Sequence, residues 1–289
     1  MTVAGLRLIE TPDCATLALR TLFQPFSFSA AMSGLLEGDS PGWVFADHPG
    51  APTMGIASTA EGVYLAGGAE RPGSPAAVRG VFKRFMHGEF LVKSACTIYL
   101  SVHPSAWVDH LSLIAPSCGK PVPTLRVHYL CTASPADWRT CVPSGYSIQP
   151  IDSELLERTD IDDRLTHQFP VELLWGSVDR FLKRAVGYAA LLDGEVVSWC
   201  TPDCIGGGRI DFACATLPDH RRRHLASSVT AASVEAAFRC GFREAGWMCA
   251  EANTASCRTA ERVGFVRKAT FDEYYYRTSC SGTSPADTS

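Results

Sequence analysis

A buried strand that runs into a cluster of arginines and then into a helix most constrains how this chain can fold. Residues 210–216 (IDFACAT) are apolar enough for a strand covered on both faces, and Pro218 ends it. Three arginines follow at 221–223, and the pattern predicts a helix from about His224. The first helical turn offers unpaired N–H groups and a positive dipole end, and guanidinium groups add charge-assisted hydrogen bonds. The segment therefore predicts an anion site suited to phosphate.

A second segment supports this site. Residues 251–265 (EANTASCRTAERVGF) contain an Asn, a Ser three residues later and a closing Gly-Phe pair. Together with the arginine turn they resemble the GNAT (GCN5-related N-acetyltransferase) superfamily, whose signature is Arg/Gln-x-x-Gly-x-Gly/Ala. Arg221, His224 and Ala226 stand at the matching positions. Residues 196–200 (VVSWC) resemble one subfamily of bacterial acetyltransferases that has a non-standard N-terminal half.

The resemblance covers roughly residues 145–277 and departs from the family pattern at the turn. Most members have Gly where this chain has Arg222 and His224, and Gly lets the backbone approach a pyrophosphate closely. We expect His224 in the first helical turn, where φ is negative and a side chain is sterically allowed. Backbone N–H groups can then still bind phosphate. The alternative is a surface helix with a solvated arginine run.

The resemblance implies that the chain binds acetyl-CoA or another acyl-CoA. The pantetheine arm would lie in a V between the fourth and fifth strands, and the pyrophosphate would lie on the turn. The matching residues are Cys214, Ala215, Thr216, Arg221, Arg222, Arg223, His224, Leu225, Ala226, Ser227, Asn253 and Ser256. Asn253 could equally be only a helix N-cap.

Acetyl transfer to an amine needs a base, groups that polarise the thioester carbonyl, and often an acid for the leaving thiolate. Many members use a Tyr as the acid, but Ala260 stands at that position here. Our catalytic candidates are therefore Asp211, close to where relatives carry a catalytic Glu, Glu251 at the end of the fifth strand, and Tyr275 among the tyrosines 274–276. Each carboxylate could be an ordinary surface group, and a strand Tyr is more often a packing residue.

The 12 cysteines are scattered along the chain. The closest pair, Cys200 and Cys204, has no second pair or His-x-x-x-His to complete a metal site, so we expect no metal. Cys131, Cys214 and Cys249 lie in apolar, strand-like runs, where reduced Cys behaves as a small hydrophobe. A catalytic role for Cys214 or Cys249, near the proposed cleft, is the alternative.

Composition excludes several classes of protein. The net charge of -4 and the pI near 6.1 argue against a general nucleic-acid binder, which needs a basic excess. The sequence contains no 18-residue apolar run, and the first 25 residues carry Glu10 and Asp13 in place of a secretory signal. We expect a cytoplasmic protein with neither nucleic-acid nor membrane partners.

The order of predicted elements suggests the same plan twice. We expect an α/β (α+β) fold of tandem GNAT-like domains, each with a mixed, mostly antiparallel central sheet flanked by helices. The strongest local signal is Asp193-Gly194, which predicts a β-hairpin. We place a degenerate domain at 1–140, a catalytic domain at 141–278 and a tail that is disordered by composition at 279–289. An unrelated N-terminal α/β domain is the alternative.

The predicted function is an acetyl-CoA-dependent N-acetyltransferase that acts on a primary amine of a small molecule or peptide. Residues 160–178 are the expected acceptor region, and their acidic start, DIDD, could attract a cationic amine or simply be a solvated helix start. Apolar spacing predicts one helix over residues 171–183. Two alternatives stay open: a non-catalytic CoA-binding or scaffold protein, and a transferase that takes its acyl group from aminoacyl-tRNA.

Overall fold

The chain contains short runs of strands and short runs of helices. The computed structural model describes residues 6–86, 97–166 and 171–277. The strands are β1 Ile9–Glu10, β2 Gly42–Ala46, β3 Met54–Thr59, β4 Val63–Gly67, β5 Thr97–His103, β6 Val122–Cys131, β7 Tyr146–Pro150, β8 Tyr188–Leu192, β9 Glu195–Gly206, β10 Arg209–Thr216, β11 Glu244–Ala250 and β12 Val266–Arg277. The helices are α1 Leu17–Leu22, α2 Ala30–Glu37, α3 Ser74–Met86, α4 Leu111–Ile114, α5 Ser153–Leu156, α6 Asp163–Thr166, α7 Val171–Trp175, α8 Val178–Arg184, α9 Leu225–Arg239 and α10 Thr254–Val263.

The chain forms two compact units, and each includes one strand from the opposite half of the sequence. Unit 1 contains the residues up to Leu125 and those from Phe271 onward, and unit 2 is Arg126–Thr270. These bounds differ from a division into 1–140 and 141–278. The paired part of β6 precedes residue 140 but belongs to unit 2, and the paired part of β12 belongs to unit 1. Neither sequence half therefore contains all the strands of its own sheet.

The described residues of unit 1 form strands in the order β1-β2-β3-β4-β5-β12. All neighbours are antiparallel except β4 and β5, which are parallel. Successive strand residues point to opposite faces, so Leu65 packs with Phe82 and Phe85 of α3, whereas Tyr64 packs with Leu35 of α2 on the other side. The sheet therefore has a hydrophobic core on each face.

Unit 2 repeats this pattern with the order β7-β8-β9-β10-β11-β6. Again one pair, β10 with β11, is parallel and the others are antiparallel. The β8–β9 hairpin turns at Asp193 and Gly194, whose φ values of 50° and 86° fit a tight primed turn. Helix α9 covers the sheet and buries Leu225, Val229 and Ala232. The expected fold class, with mixed, mostly antiparallel strands flanked by helices in each unit, is confirmed.

The helix expected over 171–183 is wrong as a single element. It is broken into α7 and α8 at Gly176, which has a φ of 79°. Ser177 then caps α8, because its hydroxyl accepts a hydrogen bond from the backbone N–H of Arg180 at 3.1 Å. Apolar spacing continued across the break, so periodicity alone could not detect it.

Helices α1 and α2 were not predicted from the sequence. Their N-caps are Thr16 and Ser29, whose hydroxyls accept hydrogen bonds from the N–H groups of Leu19 and Met32. These caps were readable signals. The tail expected at 279–289 lies outside the described residues. Within the part of the chain that the structure describes, no helix combines the length and apolarity needed to cross a bilayer.

Candidate cofactor cleft in unit 2

The two parallel strands of unit 2 pair at one end and then part. β10 and β11 are paired for three residues each, the last being Asp211 opposite Gly246. Beyond this point β10 remains paired with β9 as far as Thr216, and β11 remains paired with β6 as far as Ala250. Their facing edges are therefore available to an extended ligand that bonds with strand backbone. We call this opening the V.

The turn after β10 has an unusual backbone. Arg222 and His224 have φ values of 60° and 64°, in the left-handed region that favours Gly. His224 is the N-cap of α9, so the expectation that it lies in the first helical turn with negative φ is wrong. Glycine would adopt this conformation without strain. For Arg222 and His224 it costs roughly 1–2 kcal/mol of conformational free energy per residue.

Donors line this turn. Among the described residues, the backbone N–H groups of 222–227 have no protein acceptor, and the first amide of α9 to bond back is that of Ser228, to the His224 carbonyl at 3.0 Å. Arg222 and Arg223 are exposed, with no carboxylate within ion-pair distance in the described chain. Arg221 donates from Nε to the Thr216 carbonyl at 3.2 Å. The turn combines backbone donors with two available guanidinium groups.

The remaining residues of the turn anchor it. Leu225 is buried under the sheet, Ala226 is half-buried, and the Ser227 hydroxyl donates to the His224 carbonyl at 2.8 Å. On the strand side, Ser198 of β9 contacts both the Ala215 carbonyl at 2.8 Å and the Thr216 hydroxyl at 2.7 Å. The Ser198 bonds hold the end of β10 against β9, and the Ser227 bond stabilises the start of α9.

Asn253 and Ser256 lie on the other side of the V, where β11 passes into α10. The Asn253 side-chain oxygen accepts from the Ser256 N–H at 3.1 Å, so Asn253 is an N-cap. The Ser256 hydroxyl accepts from the Trp247 indole N–H at 2.9 Å. The cap occupies the oxygen of Asn253 and leaves its amide NH₂ as a donor for a ligand.

Burial makes the two candidate thiols, Cys214 and Cys249, weakly reactive toward a substrate. Burial raises the pKa of Cys214 to about 12 and that of Cys249 to about 11. Both are therefore protonated near neutral pH, whereas the thiolate is the reactive form. This favours the expected structural role for Cys214 and Cys249 over a catalytic one.

The two candidate carboxylates lie at opposite ends of the V. Asp211 is at the closed end, 3% exposed, and accepts a hydrogen bond from Nε of the buried Arg209 at 3.0 Å. It lies so close to β11 that a side chain at Gly246 would collide with it. Glu251 directly follows β11 at the open end, is half-buried and forms an ion pair with Arg267.

The third candidate, Tyr275, is not in unit 2. It belongs to the part of β12 in unit 1, where it lies opposite Tyr99 with ring centroids 6.0 Å apart. Its neighbour Tyr276 is fully buried and donates to the Leu111 carbonyl at 2.6 Å. Tyr276 packs in the core of unit 1, as is usual for strand tyrosines.

Sequence reasoning missed His128 on β6. It is 3% exposed, and burial, followed by the charge of Arg209, lowers its pKa to about 4. The imidazole is therefore neutral near pH 7. The sequence signal was a His inside the apolar run of β6, a pattern that usually marks a buried residue.

The acidic start of the expected acceptor region is partly neutralised. Asp160 forms two hydrogen bonds with Arg158, at 2.7 and 2.8 Å, and Asp162 is paired with Arg164 at 2.6 Å. Hydrogen bonding to Arg164 lowers the pKa of Asp162 to about 2. This local pairing supports a solvated helix start. Residues 167–170 lie outside the described chain.

The corresponding strands of unit 1 do not open in this way. β4 has five residues, and four of them pair with β5. The one arginine in the following turn, Arg71, is bonded to Asp47 at 2.6 Å, and Met54 fills the space beside Gly68. Trp107 donates to the Gly67 carbonyl at 2.7 Å. Unit 1 thus has neither a comparable gap between these strands nor an available arginine at this turn.

Replacing His224 by Gly tests the strained turn. We expect the His224→Gly protein to gain roughly 0.5–1 kcal/mol in the free energy of unfolding, because relief of left-handed strain exceeds the added entropy of the unfolded chain. Ser227→Gly, in the first turn of α9, is the matched control and should lose roughly 0.5–1 kcal/mol. Urea unfolding measures both. Equal losses in the two variants would show that residue 224 is unstrained.

Comparisons with known proteins agree with this geometry. The model of the GNAT acetyltransferase family matches residues 20–274. The uncharacterized N-acetyltransferase YdfB of Bacillus subtilis (strain 168) is 24% identical over 262 residues, which are 89% of this chain and 94% of that protein. A GCN5-related N-acetyltransferase-like protein from Streptococcus suis 89/1591 has a TM-score of 0.62 at 21% identity, covering 84% of this chain and 90% of that chain.

A tandem GNAT protein from the clavulanic acid biosynthesis pathway has a TM-score of 0.51 at 14% identity, covering 96% of this chain and 100% of that chain. At these identities the structural matches show a shared fold. The family match is broader, because it spans residues from both units. The geometry agrees with this match, because β10 and β11 are parallel and part before the arginine turn. This chain therefore belongs to the GNAT acetyltransferase family and is an acyltransferase.

Proposed function

We propose that this protein transfers an acetyl group from acetyl-CoA to a primary amine of a small molecule or peptide. The observation that carries the proposal is the V between β10 and β11, which opens toward a turn rich in N–H and guanidinium donors. Strand edges suit the amides of a pantetheine arm, and the turn suits a pyrophosphate. The expected cofactor-binding residues belong to β10, this turn and the start of α10, which supports the proposal.

We base the proposed direction of the ligand on the length of the V. Thr216 lies five positions after Asp211, which corresponds to about 16 Å of strand. With the phosphates on the turn, the arm runs along β10 and brings the thioester toward the closed end. Asp211 would then lie near the reacting carbon, and Glu251 near the phosphates. We therefore assign the base to Asp211 and give Glu251 no chemical role.

At the closed end of the V, the carboxylate of Asp211 can accept a proton. When bound, acetyl-CoA supplies an activated acetyl group. Asp211, in this proposal, accepts a proton from the substrate ammonium, and Arg209 orients its carboxylate. The β9–β10 register shifts between Asp211 and Phe212, because β9 contains one extra residue there. Such irregularities redirect strand groups near active sites.

The test is release of CoA thiol from acetyl-CoA in the presence of a panel of primary amines. We expect thiol release to depend on one class of amine and to be absent with the corresponding tertiary amines, which cannot form a neutral amide. Acetyl-CoA should also raise the melting temperature by mass action. A raised melting temperature without turnover on any amine would instead favour the non-catalytic CoA-binding alternative, which the Asp211–Arg209 pair and the missing acid at Ala260 make reasonable.

A further inference from the structure

Two cysteines meet where the V adjoins α10. Cys249 lies near the end of β11, and Cys257 lies in the first turns of α10. Their Sγ atoms are 3.6 Å apart. This is van der Waals contact between two reduced thiols, and it joins the strand and the helix that flank one side of the V.

The two thiols differ in their exposure to solvent. Cys249 is 5% exposed, whereas Cys257 is half-buried and accessible to small molecules. The Cys257 thiol lies 3.8 Å from the Glu251 carbonyl oxygen. Beside it, the buried Tyr129 donates to the Glu261 carboxylate at 3.1 Å. One accessible thiol thus lies against one shielded thiol, an arrangement typical of a reacting and a resolving cysteine.

We propose that Cys249 and Cys257 form a modification site, a dithiol that hydrogen peroxide oxidises to an intramolecular disulfide. The Cys257 sulfur attacks one peroxide oxygen, the O–O bond breaks, and a sulfenic acid and one water form. The Cys249 sulfur, held in contact at 3.6 Å, then attacks the Cys257 sulfur as its thiol proton passes to the leaving hydroxyl, the S–O bond breaks, and a second water leaves. The two thiols lose two electrons and two protons, and peroxide is reduced to two waters.

The disulfide would change the wall of the V. The sulfurs must approach from 3.6 Å to about 2.05 Å, so the end of β11 and the start of α10 must move toward each other. The closed loop contains Asn253 and Ser256, two of the proposed cofactor contacts. An effect on acetyl-CoA affinity rests on the proposed function, whereas formation of the disulfide does not.

Peptide mapping tests the disulfide directly. After brief peroxide treatment of the full-length protein, alkylation and trypsin digestion, both cysteines lie in the single peptide 244–258, bounded by Arg243 and Arg258. We expect this peptide without alkyl groups and lighter than its reduced form by two hydrogens, a change that dithiothreitol reverses. Oxidation of Met248 adds an oxygen and is therefore distinguishable by mass.

Variants separate the pair from other thiols. Cys257→Ser should abolish the mass change and leave Cys249 alkylated, whereas Cys240→Ser, at an exposed cysteine of unit 2, should retain it. If peroxide leaves both thiols of the wild-type peptide open to alkylation, or converts Cys257 to sulfinic acid without a disulfide, the proposal is overturned.

The affinity for acetyl-CoA measures whether the disulfide affects the proposed cofactor site. Acetyl-CoA is suitable because it has no free thiol that could exchange with the disulfide. After peroxide is removed, we expect the oxidised protein to bind acetyl-CoA about tenfold more weakly than the reduced protein, a change that is absent in Cys257→Ser. Equal affinities would reject the coupling. Binding by neither form would reject the proposed function, and the peptide mass would still decide whether the disulfide exists.

Discussion

Replacing Arg221, Arg222 and Arg223 together by Ala should weaken acetyl-CoA binding by at least about 100-fold. A hydrogen bond to a charged group contributes about 1.5–3 kcal/mol, and Arg222 and Arg223 are exposed without an ion-pair partner in the described structure. Isothermal calorimetry with acetyl-CoA gives the affinity. An unchanged affinity would reject the arginine turn as the phosphate site.

Two controls make this result specific. A variant with Arg258, Arg262 and Lys268 replaced by Ala removes the same charge from exposed positions of unit 2 and should bind nearly as well as wild type, which excludes an effect of net charge. The single variant Arg221→Ala also loses the bond to the Thr216 carbonyl, so its melting temperature must be compared with that of Arg222→Ala. A loss confined to Arg221→Ala would indicate a structural role.

Asp211→Asn should lower kcat by about 10²- to 10⁴-fold, the usual contribution of a general base, with little change in acetyl-CoA affinity. Glu251→Gln should leave kcat nearly unchanged, because Glu251 lies at the open end of the V and is already paired with Arg267. Steady-state kinetics with an identified amine measures both. The reverse order of effects would overturn the direction assigned to the ligand.

Stability must be separated from catalysis in this experiment, since Asp211 belongs to a buried ion pair. Breaking such a pair from either side costs about 3–5 kcal/mol. Arg209→Gln is therefore the companion variant, because it breaks the same pair and retains the carboxylate. If Asp211 is the base, Arg209→Gln keeps a rate that rises with pH, whereas Asp211→Asn loses that dependence. If both variants lose activity in parallel with stability, the role of Asp211 is structural only.

The sequence was sufficient to predict elements that depend on a few neighbouring residues. Asp193-Gly194 identified a hairpin because both positions require positive φ, which this dipeptide tolerates. The arginine turn and its helix were likewise readable. The left-handed backbone at Arg222 and His224 could not be predicted. Residues with a Cβ rarely adopt positive φ, so tertiary packing must impose this conformation.

The surroundings of a residue in the folded protein were the second feature that the sequence did not predict. Asp211 was predicted as a candidate base. Alternation along β10 places Arg209, two residues earlier, on the same face, but it does not show that both side chains are buried and paired. Tyr275 was grouped with the cleft by chain order, but the structure places it in unit 1. No periodicity reveals which sheet a terminal strand joins.

The exchange of β6 and β12 affects the order in which the protein can form during synthesis. All strands of unit 2 have left the ribosome once β11 has emerged, so its sheet can form while translation continues. Unit 1 begins first, yet β5 obtains its partner β12 only from the last described residues. The N-terminal unit is therefore the later one to be completed, and a nascent chain stopped before Phe271 would expose the edge of β5 for aberrant pairing.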